Sequence, residues 1–431
     1  MEEWKEYKLG EIFDFNNGLS KGGKFFGHGY DFVSFKTVFK NHFLPNTLDD
    51  LVESSKKERE KFSVKEGDVF LTRTSETQNE LAYSCVALKD YPNATYNGFT
   101  KRLRPNGKIK IDSIFSAYFF RSAIFRNQVT SMSNMVTRAS LSNEMLDRMS
   151  IKIPSYDLQK TIGKILFSFD AKIQLNKRIN DNLEQQVQAL FKAWFVDFEP
   201  FKDGEFVDSE LGMIPKAWKI KPLEYLVEKV KSGDWGKDEP TGNYTKKTFC
   251  MRGADFPDIK EGNKGKMPIR YILEKNFNDK SLCDGNVVVE ISGGSPTQST
   301  GRIVLVDRAF VADCGNALIC TNFCKSLEIK EDYSMFFYLL WQYLYDLRVM
   351  FIYENGSNGL KNLNVNSLIE RESFVIPTKE VVSKFNSVVS DLLSTKQANG
   401  IEVSRLASLR DTLLPKLMSG ELKNSEIETE K

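Results

Sequence analysis

Between Asp157 and Val196 apolar residues return every three or four positions: Leu158, Ile162, Ile165, Phe169, Ile173, Ile179, Leu183, Val187, Leu190 and Trp194. That spacing lays one apolar stripe along one face of a helix, with a single gap around Asn176. The stretch follows Pro154 and holds one glycine, Gly163, and no proline. A helix of about forty residues is roughly 60 Å long. It must therefore run between domains or lie against another helix.

A partner is present in the same chain. Pro377 precedes a second stripe of Val381, Phe385, Val388, Leu392, Leu406, Leu409, Leu413 and Leu417. Sliding the chain by 223 residues sets Pro154 on Pro377 and Asn176 on Asn399. Leu158 then falls on Val381, Ile162 on Phe385 and Ile165 on Val388. Matched prolines and matched interior asparagines argue for duplication rather than for two unrelated surface helices. The expected arrangement is an antiparallel pair with the two halves related by a pseudo-twofold axis. Asn176 and Asn399, at the middle of equal stripes, are expected to meet and to set the helix register.

The intervening segments read as two copies of one α/β domain. Residues 1–156 form the first, 157–197 the first long helix, 198–217 a linker punctuated by Pro200, Gly204, Gly212 and Pro215, 218–379 the second domain, 380–420 the second long helix, and 421–431 a polar tail. Trp4 to Phe15 opens as strand and helix, and Asn17 to Gly29 is a glycine-rich loop carrying Lys21 and Lys24. The turn at Gly67-Asp68 leads into the strand Val69-Phe70-Leu71, and Asp284-Gly285-Asn286 leads into Val287-Val288-Val289. Strands are also expected at Tyr83 to Leu88 and at Ile303 to Val306. Asp112 and Asp332 are placed to cap apolar helices. Glu328 reads as the start of a helix. The unit of about 220 residues thus runs domain, long helix, domain, long helix.

Composition narrows the function. With 431 residues and 41% apolar content the chain can bury more than one core. A net charge of +2, from 60 basic and 58 acidic residues, is low for a lone nucleic-acid binder. Such a role would need local basic surfaces or a partner that shares the phosphate load. The first residues do not read as a signal peptide. No apolar run is long enough to span a bilayer, and six cysteines without a leader suggest reduced thiols and a cytoplasmic location. No Asn-Pro-Pro-aromatic tetrapeptide of an adenine methylase and no Gly-Lys-Ser/Thr phosphate loop occurs. Ser292-Gly293-Gly294-Ser295-Pro296 lacks the lysine of a phosphate cradle. Pro257-Asp258 and Glu328-Ile329-Lys330 lie too far apart for one nuclease hairpin. Cys314, Cys320 and Cys324 lack a fourth nearby ligand, since His28 and His42 are in the other half, so buried free thiols are expected rather than zinc. No catalytic residue, cofactor or metal is expected.

Four segments carry a family resemblance. Leu190-Phe191-Lys192-Ala193-Trp194-Phe195-Val196-Asp197-Phe198-Glu199-Pro200 closely resembles the central region of specificity subunits of type I restriction–modification systems. So do Lys172-Ile173-Gln174-Leu175-Asn176-Lys177-Arg178-Ile179-Asn180 upstream and Leu211-Gly212-Met213-Ile214-Pro215-Lys216-Ala217-Trp218 downstream. Leu413-Leu414-Pro415-Lys416-Leu417-Met418-Ser419-Gly420-Glu421 is similar to the distal region. The resemblance implies two α/β target-recognition domains, each reading half of a split site in double-stranded DNA. It implies long antiparallel helices, a coiled coil, that set the spacing and dock two methyltransferase subunits, with motor–nuclease subunits joining through these. The chain itself would be a non-catalytic subunit.

DNA contacts must then come from the polar loops. In the first domain the candidates are Arg73, Thr74, Thr77, Gln78 and Asn79, with a second loop holding Asn134, Thr137 and Arg138. The matching sets in the second domain are Ser292, Gln298, Ser299, Thr300 and Arg302, and Asn355, Ser357, Asn358 and Lys361. Two other classes compete with this reading: an enzyme with fused methylase or nuclease activity, and a repeat scaffold that binds only protein. Sequence-selective binding to DNA separates them.

Overall fold

The computed structural model describes residues 4–75, 80–132, 139–293, 295, 298–357 and 360–421. The chain folds as two compact units, Met1–Lys172 with Leu406–Lys431, and Ile173–Arg405. Both units take a share of each long helix, Tyr156–Phe195 and Lys379–Ser419.

In the first unit a four-stranded antiparallel sheet runs in the order Phe13–Asn17, Thr100–Pro105, Val69–Thr72, Ser84–Val86. In the second the order is Val227–Ser232, Cys324–Ile329, Val287–Glu290, Ile303–Leu305. The repeat extends to detail. Each unit has a parallel strand contact, Phe32 with Thr95 and Phe249 with Leu318. Each has a closing antiparallel pair, Lys5–Lys8 with Ser150–Ile153 and Lys219–Pro222 with Ser373–Ile376. The turns before the central strands both place a glycine at φ +82°, Gly67 and Gly285, a conformation that a side chain would strain.

The helix stripe is buried, at Leu158, Ile162, Ile173, Val187, Phe385 and Leu417 as read in sequence and elsewhere one position further on, at Leu166, Phe191, Phe195, Val382 and Val389. Leu158, Ile162 and Leu166 join the core of the first unit, and Leu417 and Met418 come to it from the second long helix. Val187, Phe191 and Phe195 join that of the second unit, together with Val382, Phe385 and Val389. Ile165 and Leu190 are only half-buried, and Ile179 is exposed. Phe195 packs among Phe336, Phe385 and Trp218, with ring centroids 4.9, 4.8 and 5.9 Å away.

Within the second unit the helices run antiparallel, since partners on one ascend as those on the other descend. In the first unit, Asp170 accepts from Arg410, and Tyr118 donates to Asp170 at 2.6 Å. In the second, Asn176 donates to Glu402 at 2.6 Å, Asn180 donates to the Lys396 carbonyl at 3.0 Å, and Lys396 pairs with Glu184. Asn399 donates to Asn180 at 3.0 Å, one helical turn from the Asn176 partner expected for it. Asn176 itself is 1% exposed. The middle of the stripe therefore buries amides where its apolar spacing fails. Hydrogen bonds from the amide nitrogens offset part of the cost of this burial, while the buried Asn176 Oδ1 meets no partner among the described residues.

Two local expectations need correction. Asp112 caps its helix through the Ile114 and Phe115 amides, but Asp332 does not cap. It adopts φ +69° and pairs with Lys379 at 2.8 Å, so the second helix starts uncapped at Ser334. Glu328 lies in the strand Cys324–Ile329, because alternate residues Leu327 and Ile329 face a core. Cys85, Cys250, Cys314, Cys320 and Cys324 are buried free thiols, and burial pushes Cys324 up to about 12. Among the described residues no helix is long and apolar enough to cross a membrane.

Candidate nucleic-acid interface

The polar loops emerge where the central strand of each sheet ends. In the first unit Val69–Thr72 is wholly buried, and the chain leaves it at Arg73. The Arg73 amide donates to the Phe99 carbonyl at 2.8 Å, and its carbonyl accepts from Leu141 at 2.8 Å. Thr74–Ser75 then pairs with Ala139–Ser140. The strand end thus holds the first polar loop against the foot of the second.

The far end of the first loop is fastened separately. The Thr72 hydroxyl donates to the Glu80 carbonyl and accepts from the Tyr83 amide. Arg126 donates to the Leu81 carbonyl, and Arg121 donates to that of Ser84. Burial lowers both guanidinium groups, and both lie over the Tyr83 ring. Nearby, the Lys101 amine donates to Asn17 and Asn143. Burial first, and the Arg73 charge second, lower its affinity for a proton. Arg73 and Thr74 are half-buried at the start of the loop. Thr77, Gln78 and Asn79, and Asn134, Thr137 and Arg138, lie outside the described residues.

The second unit repeats this construction. The Ile291 amide donates to the Phe323 carbonyl at 2.9 Å, and the Ile291 carbonyl accepts from Leu363 at 2.8 Å. Ser292–Gly293 pairs with the strand Leu360–Leu363, whose own hairpin partner is Glu354–Ser357. The Ser292 hydroxyl donates to Asn362. Glu354, almost buried, ties the parts together. Its carboxylate accepts from the Thr300 hydroxyl at 2.8 Å and pairs with Lys361 at 2.9 Å. Arg302 makes a bidentate pair with Glu290 at 2.8 and 2.7 Å, a planar fork on a carboxylate. Trp341 donates to the Gly301 carbonyl and Tyr345 to that of Ser299.

The candidates of the second unit are thereby sorted. Gln298 and Asn355 are exposed, and Ser292 is half-buried. Ser299 and Thr300 are buried, and Arg302 and Lys361 are engaged by carboxylates. Asn358 lies outside the described residues, and Ser357 is placed by its backbone alone. Sequence reasoning passed over Glu290 and Glu354, which hold the loops, and Asn362, which is exposed between them. The available signal was the spacing of single acids beside the basic loop residues. That spacing has no meaning until strand pairing is known.

An arrangement of short hydroxyl, amide and guanidinium side chains on a stiff sheet edge can donate to and accept from base edges and phosphates. Comparison with known proteins agrees with this geometry. Residues 1–185 match the type I restriction modification DNA specificity domain family. The chain is 28% identical over 351 residues to the specificity subunit of the type I restriction enzyme MjaIX of Methanocaldococcus jannaschii, covering 79% of this chain and 76% of that one. It is 23% identical to the HindI specificity subunit of Haemophilus influenzae, over 98% of this chain and all (100%) of the other. In three dimensions it resembles the crystal structure of a type I restriction–modification S subunit from M. genitalium, with a TM-score of 0.59 at 14% identity, covering 97% of this chain and 96% of that one.

Proposed function

We propose that this chain, which belongs to the family of type I restriction–modification specificity subunits, reads a bipartite DNA target, one half with each unit, and docks two methyltransferase subunits on its long helices. As a specificity subunit it supplies DNA recognition and carries no reaction of its own. The observation that carries the bipartite reading is the repeated loop clamp. At Arg73 in one unit and Ile291 in the other, the strand end makes the same two backbone hydrogen bonds: its amide donates to the carbonyl of Phe99 or Phe323, and its carbonyl accepts from Leu141 or Leu363 at the foot of the second polar loop. Two copies of one reading device, bearing different side chains, suit two different half-sites.

Within each unit the outward side chains are proposed to touch DNA: Arg73 and Thr74 with their loop in the first, and Ser292, Gln298 and Asn355 in the second. Arg302, Lys361, Ser299 and Thr300 are proposed to hold the loop shape. Docking of methyltransferases is supported by apolar side chains left exposed on the helices. Leu175 and Ile179 stand one turn apart, and Ile401 and Leu409 are likewise exposed. The two halves are proposed to be related by a pseudo-twofold axis, with motor–nuclease subunits joining through the methyltransferases. An experimental structure checks the axis by superposing one half on the other.

The functional test is methylation mapping in a host that carries this chain with its cognate methyltransferase. The expected result is one split motif, present with the chain and absent without it. A continuous motif, or methylation indifferent to the chain, would contradict the proposal.

A further inference from the structure

Two phenylalanines stand out against the burial of their neighbours. Phe99 is 63% exposed and Phe323 is 59% exposed. Isolated exposed apolar residues are ordinary on a protein surface. These two occupy the same place in both copies of the fold. Phe99 immediately precedes the strand Thr100–Pro105, and Phe323 immediately precedes Cys324–Ile329. Each carbonyl accepts the amide that follows the central strand, Arg73 in one unit and Ile291 in the other. Each phenylalanine is therefore bonded to the root of a polar recognition loop.

The turns that present them are stiff. The Phe99 amide donates to the Asn97 side chain at 2.7 Å, and the Phe323 amide donates to the Thr321 hydroxyl at 3.2 Å. The carbonyls of Asn97 and Thr321 accept from Thr100 at 3.0 Å and from Cys324 at 2.9 Å. A glycine lies against each turn from the neighbouring segment. A Cβ on Gly18 would come within 2.2 Å of the Asn97 carbonyl oxygen, and one on Gly233 within 2.1 Å of the Thr321 carbonyl oxygen. The fold thus gives up side chains at two positions to seat turns that hold a bare aromatic ring in solvent.

We infer that Phe99 and Phe323 are apolar wedges that press between base steps of duplex DNA, one in each half-site, and unstack them locally. This rests on the DNA-reading function proposed above. The recognition loops that start beside the two rings differ in sequence, Arg73-Thr74-Ser75 against Ile291-Ser292-Gly293. A ring that read a thymine methyl would require thymine at the same place in both half-sites. The same side chain beside different reading loops fits a contact made irrespective of base identity. A phenyl ring has no hydrogen-bonding group and can only stack or insert. Insertion of such a side chain partly unstacks a step and bends the duplex. The bend brings more of the polar loops onto the bases.

The test uses the full chain assembled with its methyltransferase and duplexes of the mapped site carrying 2-aminopurine at successive steps. The wild-type complex should raise 2-aminopurine fluorescence at one step in each half-site away from the methylated base, which a methyltransferase flips out by itself, and only those other steps are read. Phe99→Ala should abolish the rise in one half-site and weaken binding about tenfold, and Phe323→Ala should do so in the other. Both rings are exposed, so thermal midpoints should not move. Phe99→Trp and Phe323→Trp should bind DNA with quenched indole emission. No fluorescence rise at any step, or a rise that survives both alanine changes, overturns the inference. So does loss of the methyltransferase from the alanine variants with DNA unstacking intact, because the rings would then face protein. Exchange of the loop at 73–80 is the control for the underlying reading. If it leaves the methylated motif unchanged, the DNA-reading function itself fails, whatever the rings do.

Discussion

Asp170 offers the sharpest test of how the two long helices are held together in the first unit. Its carboxylate accepts from Arg410 on the second long helix and from Tyr118, and the His42 ring is 3.8 Å away. Burial alone would raise this carboxyl. The contacts with His42, Tyr118 and Arg410 outweigh burial and hold it at about 2, against an ordinary 3.8. A carboxyl whose folded value lies below its unfolded value stabilises the fold above the unfolded value. That stabilisation is lost as pH falls through the folded one. A shift of nearly two units corresponds to about 2 kcal/mol at neutral pH. The same linkage leaves roughly half of it at about pH 3 and little at about pH 2. The side chain is only 17% exposed, so solvent screening removes little of this. Asp170→Asn keeps the volume and deletes the charge. Urea unfolding of the full chain, followed by circular dichroism at a series of pH values from about 7 to about 3, should show the wild-type advantage shrinking as acid is added. A gap that stays constant with pH, or that widens in acid, would refute the claim that the charged form of Asp170 joins the helices.

Phe195→Ala should cost about 3–5 kcal/mol and lower the thermal midpoint by several degrees, because the emptied space lies among Phe336, Phe385 and Trp218. Glu290→Gln should release the bidentate hold on Arg302 and relax sequence preference in one half-site only, read by methylation mapping; a change in both half-sites would show that the units do not read independently. Exchange of the 73–80 loop should alter one half-site and exchange of the 298–302 loop the other, and a swap that altered both together would contradict modular reading. A heptad inserted after Asn176 and another after Asn399 should lengthen both helices by about 10 Å and move the preferred half-sites apart by about three base pairs of roughly 3.4 Å each. The second heptad should begin with glycine, since a Cβ at Gly400 would lie 1.5 Å from the Glu261 carbonyl oxygen. Methylation of a spacer library reads the result, and an unchanged preferred spacer would mean that the helices dock partners without setting distance.

The long helices were legible in sequence because a 3.6-residue period survives any detail of packing. Two stripes, each behind a proline and each interrupted at an asparagine, were enough to expect an internal repeat and an antiparallel pair. The pattern could not say which neighbouring residue points inward, so Leu166 and Phe191 are buried where Ile165 and Leu190 were expected. Nor could it say which asparagine meets which. Asn399 bonds Asn180 because register is settled by the whole set of facing side chains, Glu184 with Lys396 and Asn176 with Glu402 among them. The polar loops were visible as composition between strands, and their pairing was visible as repeat order. Their internal division was not. Whether Arg302 is free or gripped depends on Glu290, twelve residues earlier, lying across a strand pair from it. Whether Phe99 is core or surface depends on a turn seated against Gly18, which lies far off in the chain and adjacent only in the fold. Local chemistry, and its period, belong to the sequence. Which polar group meets a partner, and which apolar ring meets water, follows from contacts between distant segments, and those exist only once the sheets have formed.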